Sequence, residues 1–150
     1  MENENKVIDL DLSQTGLKSI RIDGDDSRIL KLNTSDLGII SRLKETSSRM
    51  EQLVSKASQK IEVREDDIEV VGDALKEADD EMRACIDYVF GSSVSGVCAP
   101  KGTMFDPFNG KFRFEIIIEE LSNLYGSNIA IEMRKMSNRI NAKTAKYTGK

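Results

Sequence analysis

The sequence contains no histidine and no tryptophan, and only two cysteines and two prolines among 150 residues. Without histidine the Ser-His and Cys-His nucleophile pairs cannot be built, and the commonest metal ligand is missing. Two distant cysteines, Cys85 and Cys98, make no zinc site by themselves and are too few for a disulfide-stapled secreted domain. They read as buried structural thiols. The glycines at 91, 96, 102 and 110 lack the spacing and the Lys-Ser/Thr ending of a phosphate loop. No apolar run exceeds three residues, as at Ile116–Ile118, far below the roughly 20 of a membrane helix. The start, Met1 to Lys6, lacks the basic and apolar regions of a signal peptide. These absences lead to the expectation of a non-enzymatic chain without a cofactor, in the cytoplasm of the cell that makes it.

What is present is charge and aliphatic residues. Charged residues make up 32% of the chain, hydrophobic ones 39% and aromatics 5%, with a net charge of −4. Such a chain can bury a helical core of Leu, Ile, Val and Met, yet it has few large anchors. A modest core under a charged surface suits a protein completed by a partner or by self-association. The acidic balance argues against nucleic acid as the partner.

The expected architecture is α+β and mainly α: an N-terminal β unit over 1–33, a helical region over 34–140 and a basic tail over 141–150. Within Val7–Leu12, Ile8, Leu10 and Leu12 alternate with polar residues on one face, as in a strand. Ser19–Ile22 and Arg28–Leu32 flank the turn-forming stretch Asp23-Gly24-Asp25-Asp26-Ser27, predicting a hairpin with 7–12 as a third strand. Thr34-Ser35-Asp36 offers an N-cap to a long helix striped by Leu37, Ile40, Leu43, Met50, Val54, Ala57 and Ile61. The stripe weakens at Thr46-Ser47-Ser48.

Over 65–90, Ile68, Val71, Leu75, Ala78, Met82, Cys85 and Val89 recur in steps of three and four, and Gly91 supplies a stop. Ile68, Val71, Leu75, Met82 and Val89 are expected to be buried. The joint Glu62–Glu65 is short enough for an antiparallel helical hairpin, a single bent helix being the competing reading. Residues 92–111 read as a long mobile loop in which Met104, Phe105 and Phe108 form a docking point. A helix over 112–125 follows, with Phe114, Ile117, Ile118 and Leu121 toward the core. Ile116 and Leu124 then need cover from a last helix, capped by Ser127 and running from Asn128 through Ile140, or from a second molecule.

Two charge blocks stand out. Residues 62–82 hold ten acidic side chains against two basic ones, and residues 128–150 hold six basic ones against Glu132. Arg134, Lys135 and Arg139 are the candidate contacts of the basic block to an acidic partner or a second copy, in association sensitive to salt. Asp79, Asp80 and Glu81 read as a solvated face, since neighbours on a helix diverge by about 100°. Asp23, Asp25 and Ser27 alternate like the first ligands of a calcium loop. Arg28 and Thr34, however, stand where that loop requires Gly and Glu.

One longer pattern runs from Ala84 onward. Cys85-Ile86-Asp87-Tyr88-Val89-Phe90-Gly91 ends a helix, Val97-Cys98 and Asp106-Pro107-Phe108-Asn109-Gly110 follow, and Phe112-Arg113-Phe114-Glu115 opens a helix ending in Leu124-Tyr125-Gly126. This order resembles small tail-region proteins of long-tailed bacteriophages and prophages of Gram-positive bacteria, in particular the tail assembly chaperones. The resemblance implies a non-enzymatic protein that holds the tape-measure protein or the tail tube subunits during morphogenesis in the bacterial host. The alternatives are a structural component retained in the virion and a bacterial regulatory or scaffold protein dimerising through the 65–90 heptads.

Overall fold

The computed structural model describes residues 6–12, 17–63 (backbone alone over 60–63), 68–126, 131, 134, 135, 138–140 and 142. The elements are β1 (Leu17–Ile22), β2 (Asp25–Asn33), α1 (Gly38–Val63), α2 (Ile68–Phe90), α3 (Val94–Cys98), β3 (Pro107–Phe108), β4 (Lys111–Phe112) and α4 (Arg113–Ser122). The fold is α+β and mainly helical, with an N-terminal antiparallel hairpin packed on the helices.

Asp23 and Gly24 both have positive φ, 54° and 72°, and link Ile22 directly to Asp25 in a two-residue turn. The turn is shorter than the expected Asp23–Ser27 because Asp25–Ser27 belong to β2. The Asp25 carboxylate accepts the Ser27 N–H at 2.9 Å and its hydroxyl at 2.7 Å. Pairing of Ile20 with Leu30 and of Lys18 with Leu32 sets one face inward, where Leu30 and Leu32 are 2% and 1% exposed. The expected third strand does not form. Residues 6–12 have no regular structure, and Val7, Ile8, Leu10 and Leu12 all face solvent. A period-two pattern makes a strand only where an edge receives it; here the hairpin rests on helices instead.

α1 and α2 form the antiparallel hairpin. Arg42 Nε donates to the Val89 carbonyl at 3.0 Å, Tyr88 Oη donates to Glu45 at 2.5 Å, and Arg49 pairs with Glu81. Lys56 and Glu77 lie 4.0 Å apart further along. The chain partners thus run in opposite directions, and cations of α1 neutralise part of the acidic block of α2. At the start of α1, Asp36 accepts the Gly38 N–H at 2.9 Å and pairs with Arg42 at 2.5 Å. The Arg42 hydrogen bond holds the Asp36 carboxyl below its ordinary range. Its contribution to stability is therefore present above about pH 4 and is lost as the pH falls through the depressed value. The joint residues Arg64–Asp67 and the side chain of Ile61 lie outside the described residues.

The expected stripe of α2 holds at Ala78, Met82 and Val89 and fails toward the N-terminal end of the helix. Ala74, Ala78, Met82, Ile86, Val89 and Phe90 are buried, whereas Ile68 is 85% exposed and Val71 and Leu75 are only half-buried. A strict seven-residue stripe drifts around a straight 3.6-residue helix. Three sides of α2 are also covered unequally, by α1, by α3 and by α4. In α1, Ile39 and Leu53 join Leu43, Met50, Val54 and Ala57 in the core, while Leu37 stands exposed before the helix.

After α4, residues 131, 134, 135, 138–140 and 142 have helical backbone, and Ile140 is 1% exposed. The Ser127 cap, Asn128, Met133, Met136 and the tail from 143 lie outside the described residues. The difference between the two ends of α2 sets a direct test. Ile86→Ala is expected to cost about 2–5 kcal/mol in chemical denaturation, and Ile68→Ala no more than about 0.5 kcal/mol.

Candidate functional site: a groove between the hairpin and α4

The stretch 92–111, expected as a long loop, is a strap that carries α3, β3 and the start of β4. Met104 is 0% and Phe105 8% exposed, so neither is available as a docking point. Asp87 of α2 accepts the Ser95 N–H at 2.8 Å and the Ser95 hydroxyl at 3.2 Å, holding α3. Four residues earlier in the helix, Arg83 donates to the carbonyls of Ser95, Ala99 and Gly102 at 3.0–3.2 Å. Its Nε pairs with Asp79 at 3.0 Å, and Asp79 accepts the Met104 N–H at 2.7 Å. Asp79 is thus a buried anchor and no part of a solvated face, because the strap brings it a backbone donor and Arg83 neutralises it. From the other side, Arg28 of β2 donates to the carbonyls of Val97 and Cys98 at 2.9 and 2.7 Å.

The end of the strap turns back as a second hairpin. Asn109 and Gly110 have φ of 52° and 80° and join β3 to β4 in a two-residue turn. An Asn-Gly pair is the strongest short hairpin signal a sequence carries. Phe112 N–H is accepted by Glu115 at 3.0 Å, starting α4. Phe105, Phe112 and Phe114 meet with centroids 5.7–5.9 Å apart, and Arg113 lies 5.1 Å over the Phe108 ring.

These supports leave an open groove of about 820 Å³, lined by Ile20–Asp23 and Arg28 of the first hairpin, by Cys98–Lys101 and Phe108 of the strap, and by the outer face of α4. Its floor is apolar, with Ile20, Ile22, Ile116, Ile117, Leu121 and Leu124. Four cations, Arg21, Arg28, Lys101 and Arg113, stand among its walls with Glu120, and the three arginines pair with Asp26, Asp23 and Asp106 at 2.7, 3.2 and 3.5 Å. The rim is therefore charged but close to balanced. Phe108 remains 47% and Leu124 39% exposed, and Ile116 is half-buried.

Three of the eight expected contact residues, Phe108, Ile116 and Leu124, therefore converge on one groove although they come from separate elements. Met104 and Phe105 lie in the core beneath it. Arg134, Lys135 and Arg139 are exposed outside its lining, with Arg134 donating to Asn123 at 2.8 Å. The sequence reading missed Asp79, Arg83 and Arg28. Only the i, i+4 spacing of Asp79 and Arg83 hinted at a pair.

The thiols offer no ready nucleophile. Burial pushes Cys98 up to about 11 despite the nearby Arg28, and burial raises Cys85 as well. Among the described residues no group of three or more His, Cys, Asp or Glu is placed to hold a metal, and no helix is long and apolar enough to cross a membrane. Comparison with protein-family models, curated proteins and solved structures finds no match to this chain.

Two measurements check this geometry. Asp79→Ala removes the anchor of the strap and is expected to cost about 2–4 kcal/mol, with faster amide exchange at Met104. At pH 8 the raised value leaves Cys98 with about a hundredfold less thiolate than an ordinary thiol. Alkylation of Cys98 is therefore expected to be slow and to accelerate up to about pH 11.

Proposed function

We propose that this chain is a non-enzymatic binding protein whose groove takes an extended apolar segment of another protein. The biological setting we propose is phage tail morphogenesis, with the chain acting as a tail assembly chaperone for the tape-measure protein or the tail tube subunits. The groove carries the reading: Phe108 and Leu124 stay exposed along an apolar lining that also holds Ile20, Ile22 and Ile116, with ion-paired arginines on its walls. Its volume falls in the range of sites that enclose a few side chains or a small ligand. Exposed apolar surface rimmed by polar groups is what a partner-binding site presents. The thiols are held protonated by burial and no histidine is present, so the same site has little to offer nucleophilic or acid–base chemistry.

The test is co-expression with the tape-measure and tail tube proteins of the same phage or prophage. The expected outcome is a client that stays soluble and co-purifies with the chain. Ile116→Glu with Leu124→Glu should weaken that complex by at least about tenfold while the melting temperature stays near that of the wild type. Binding unaffected by these substitutions would remove the groove from the function. Mass spectrometry of purified particles separates the chaperone from a virion component: a chaperone is absent, and a structural protein is present at fixed copy number.

A further inference from the structure

We propose that Asn109 is a self-modification site: the Asn109–Gly110 turn deamidates through a succinimide, at a rate set by opening of the β3–β4 hairpin. The inference is independent of what the groove binds. Asn109 alone among the asparagines of the chain is followed by glycine. It is exposed, and among the described residues its carboxamide has no hydrogen-bond partner. Gly110 has no side chain to shield its backbone nitrogen. In the step, hydroxide takes the Gly110 amide proton and the nitrogen attacks Cγ of Asn109. A C–N bond closes the ring, and the side-chain nitrogen leaves as ammonia with a proton from water. Water then opens the ring at either carbonyl, giving aspartate or isoaspartate.

The closed turn holds that step back. Asn109 and Gly110 have φ of 52° and 80°. An L-residue at such a φ sits in the left-handed region, where ψ is about +30 to +60°. Cβ and the next nitrogen then lie nearly trans about the Cα–C bond, whereas the ring needs them nearly eclipsed. The turn must open before the Gly110 nitrogen reaches Cγ. Opening is local because the ribbon is short. It pairs Phe108 with Lys111 and Pro107 with Phe112, and Pro107 has no N–H to give to the ladder. A two-stranded ribbon of this length adds little stability by itself.

The first hairpin supplies the comparison. Asp23 and Gly24 take nearly the same turn, with φ of 54° and 72°. Asp23 is the slower of the two to react, because an ionised carboxylate is a weaker electrophile than a carboxamide and this one pairs with Arg28 at 3.2 Å. The same comparison separates the products. An aspartate at 109 fits the turn as Asp23 does. Isoaspartate puts an extra methylene into the main chain, which a two-residue turn between Phe108 and Lys111 cannot hold. That product displaces Phe108, which lines the groove with Arg113 5.1 Å over its ring.

The experiment incubates the full chain in mildly alkaline buffer, beside a synthetic peptide of residues 105–113 and the same chain unfolded in guanidinium. Peptide-mapping mass spectrometry follows Asn109 in all three. The folded chain is expected to show the mass gain of an amide-to-acid exchange at Asn109, about five- to a hundredfold more slowly than the peptide. The unfolded chain should match the peptide, and both aspartate and isoaspartate should appear. The Asn109→Asp chain should keep the wild-type melting temperature. The isoaspartate fraction of the aged chain, in contrast, should exchange its Lys111 amide at least about tenfold faster than the unmodified chain. A folded chain that stays unmodified while the peptide is fully converted overturns the proposal. Reaction of the folded chain as fast as the peptide overturns it too, because the turn then holds nothing back. So does modification at other asparagines with Asn109 intact.

Discussion

The arrangement depends on one charged pair, Asp79 with Arg83, set one helical turn apart on α2. Between them they hold the Met104 N–H and the carbonyls of Ser95, Ala99 and Gly102. A twenty-residue connection would otherwise carry polar backbone groups across the molecule without partners, which a packed interior does not tolerate. Arg83 supplies several donors in a rigid planar fork, and Asp79 supplies an acceptor and the compensating charge. Together they make it possible for the strap to cross α2 and still bury Met104 and Phe105.

The rest of the site follows from that crossing. With Met104 fixed, its carbonyl accepts the Phe114 N–H at 3.0 Å and the Asp106 carbonyl accepts the Arg113 N–H at 2.9 Å, which places the start of α4. The Asn109–Gly110 turn then directs Phe108 outward beside Arg113, while Phe112 and Phe114 turn inward on Phe105. The outer face of α4 is left beside the first hairpin, and Arg28 fastens that hairpin to the same strap. The groove is thus a by-product of how three elements are tied together, and its walls include side chains that are themselves ties. Arg28 and Arg113 both hold strap carbonyls and both line the opening. The same two arginines therefore tie the strap and shape the groove edge.

Charge is handled differently on the two long helices. In the acidic block of α2, Glu81 pairs with Arg49, and Glu77 approaches Lys56. Exposed pairs of this kind add little to stability. Their effect is to lower the field of the block.

Much of the local structure was legible. The Asp23–Gly24 turn, the Gly91 stop, the α1–α2 hairpin and the inward face of α4 at Phe114, Ile117, Ile118 and Leu121 are all set by residues close in sequence. Backbone φ preference and a 3.6-residue period act over a few positions, so a single chain determines them. The 7–12 alternation was equally legible as a pattern, but a strand also needs an edge to receive it, which no local signal provides. The burial of Asp79, Met104 and Phe105, the exposure of Ile68, and the meeting of Ile20, Phe108, Ile116 and Leu124 were decided only by the tertiary structure. Whether a carboxylate is solvated or buried depends on which donors a segment some 25 residues away brings within about 3 Å. That choice belongs to the crossing of the strap over α2 and to nothing in the residues beside Asp79.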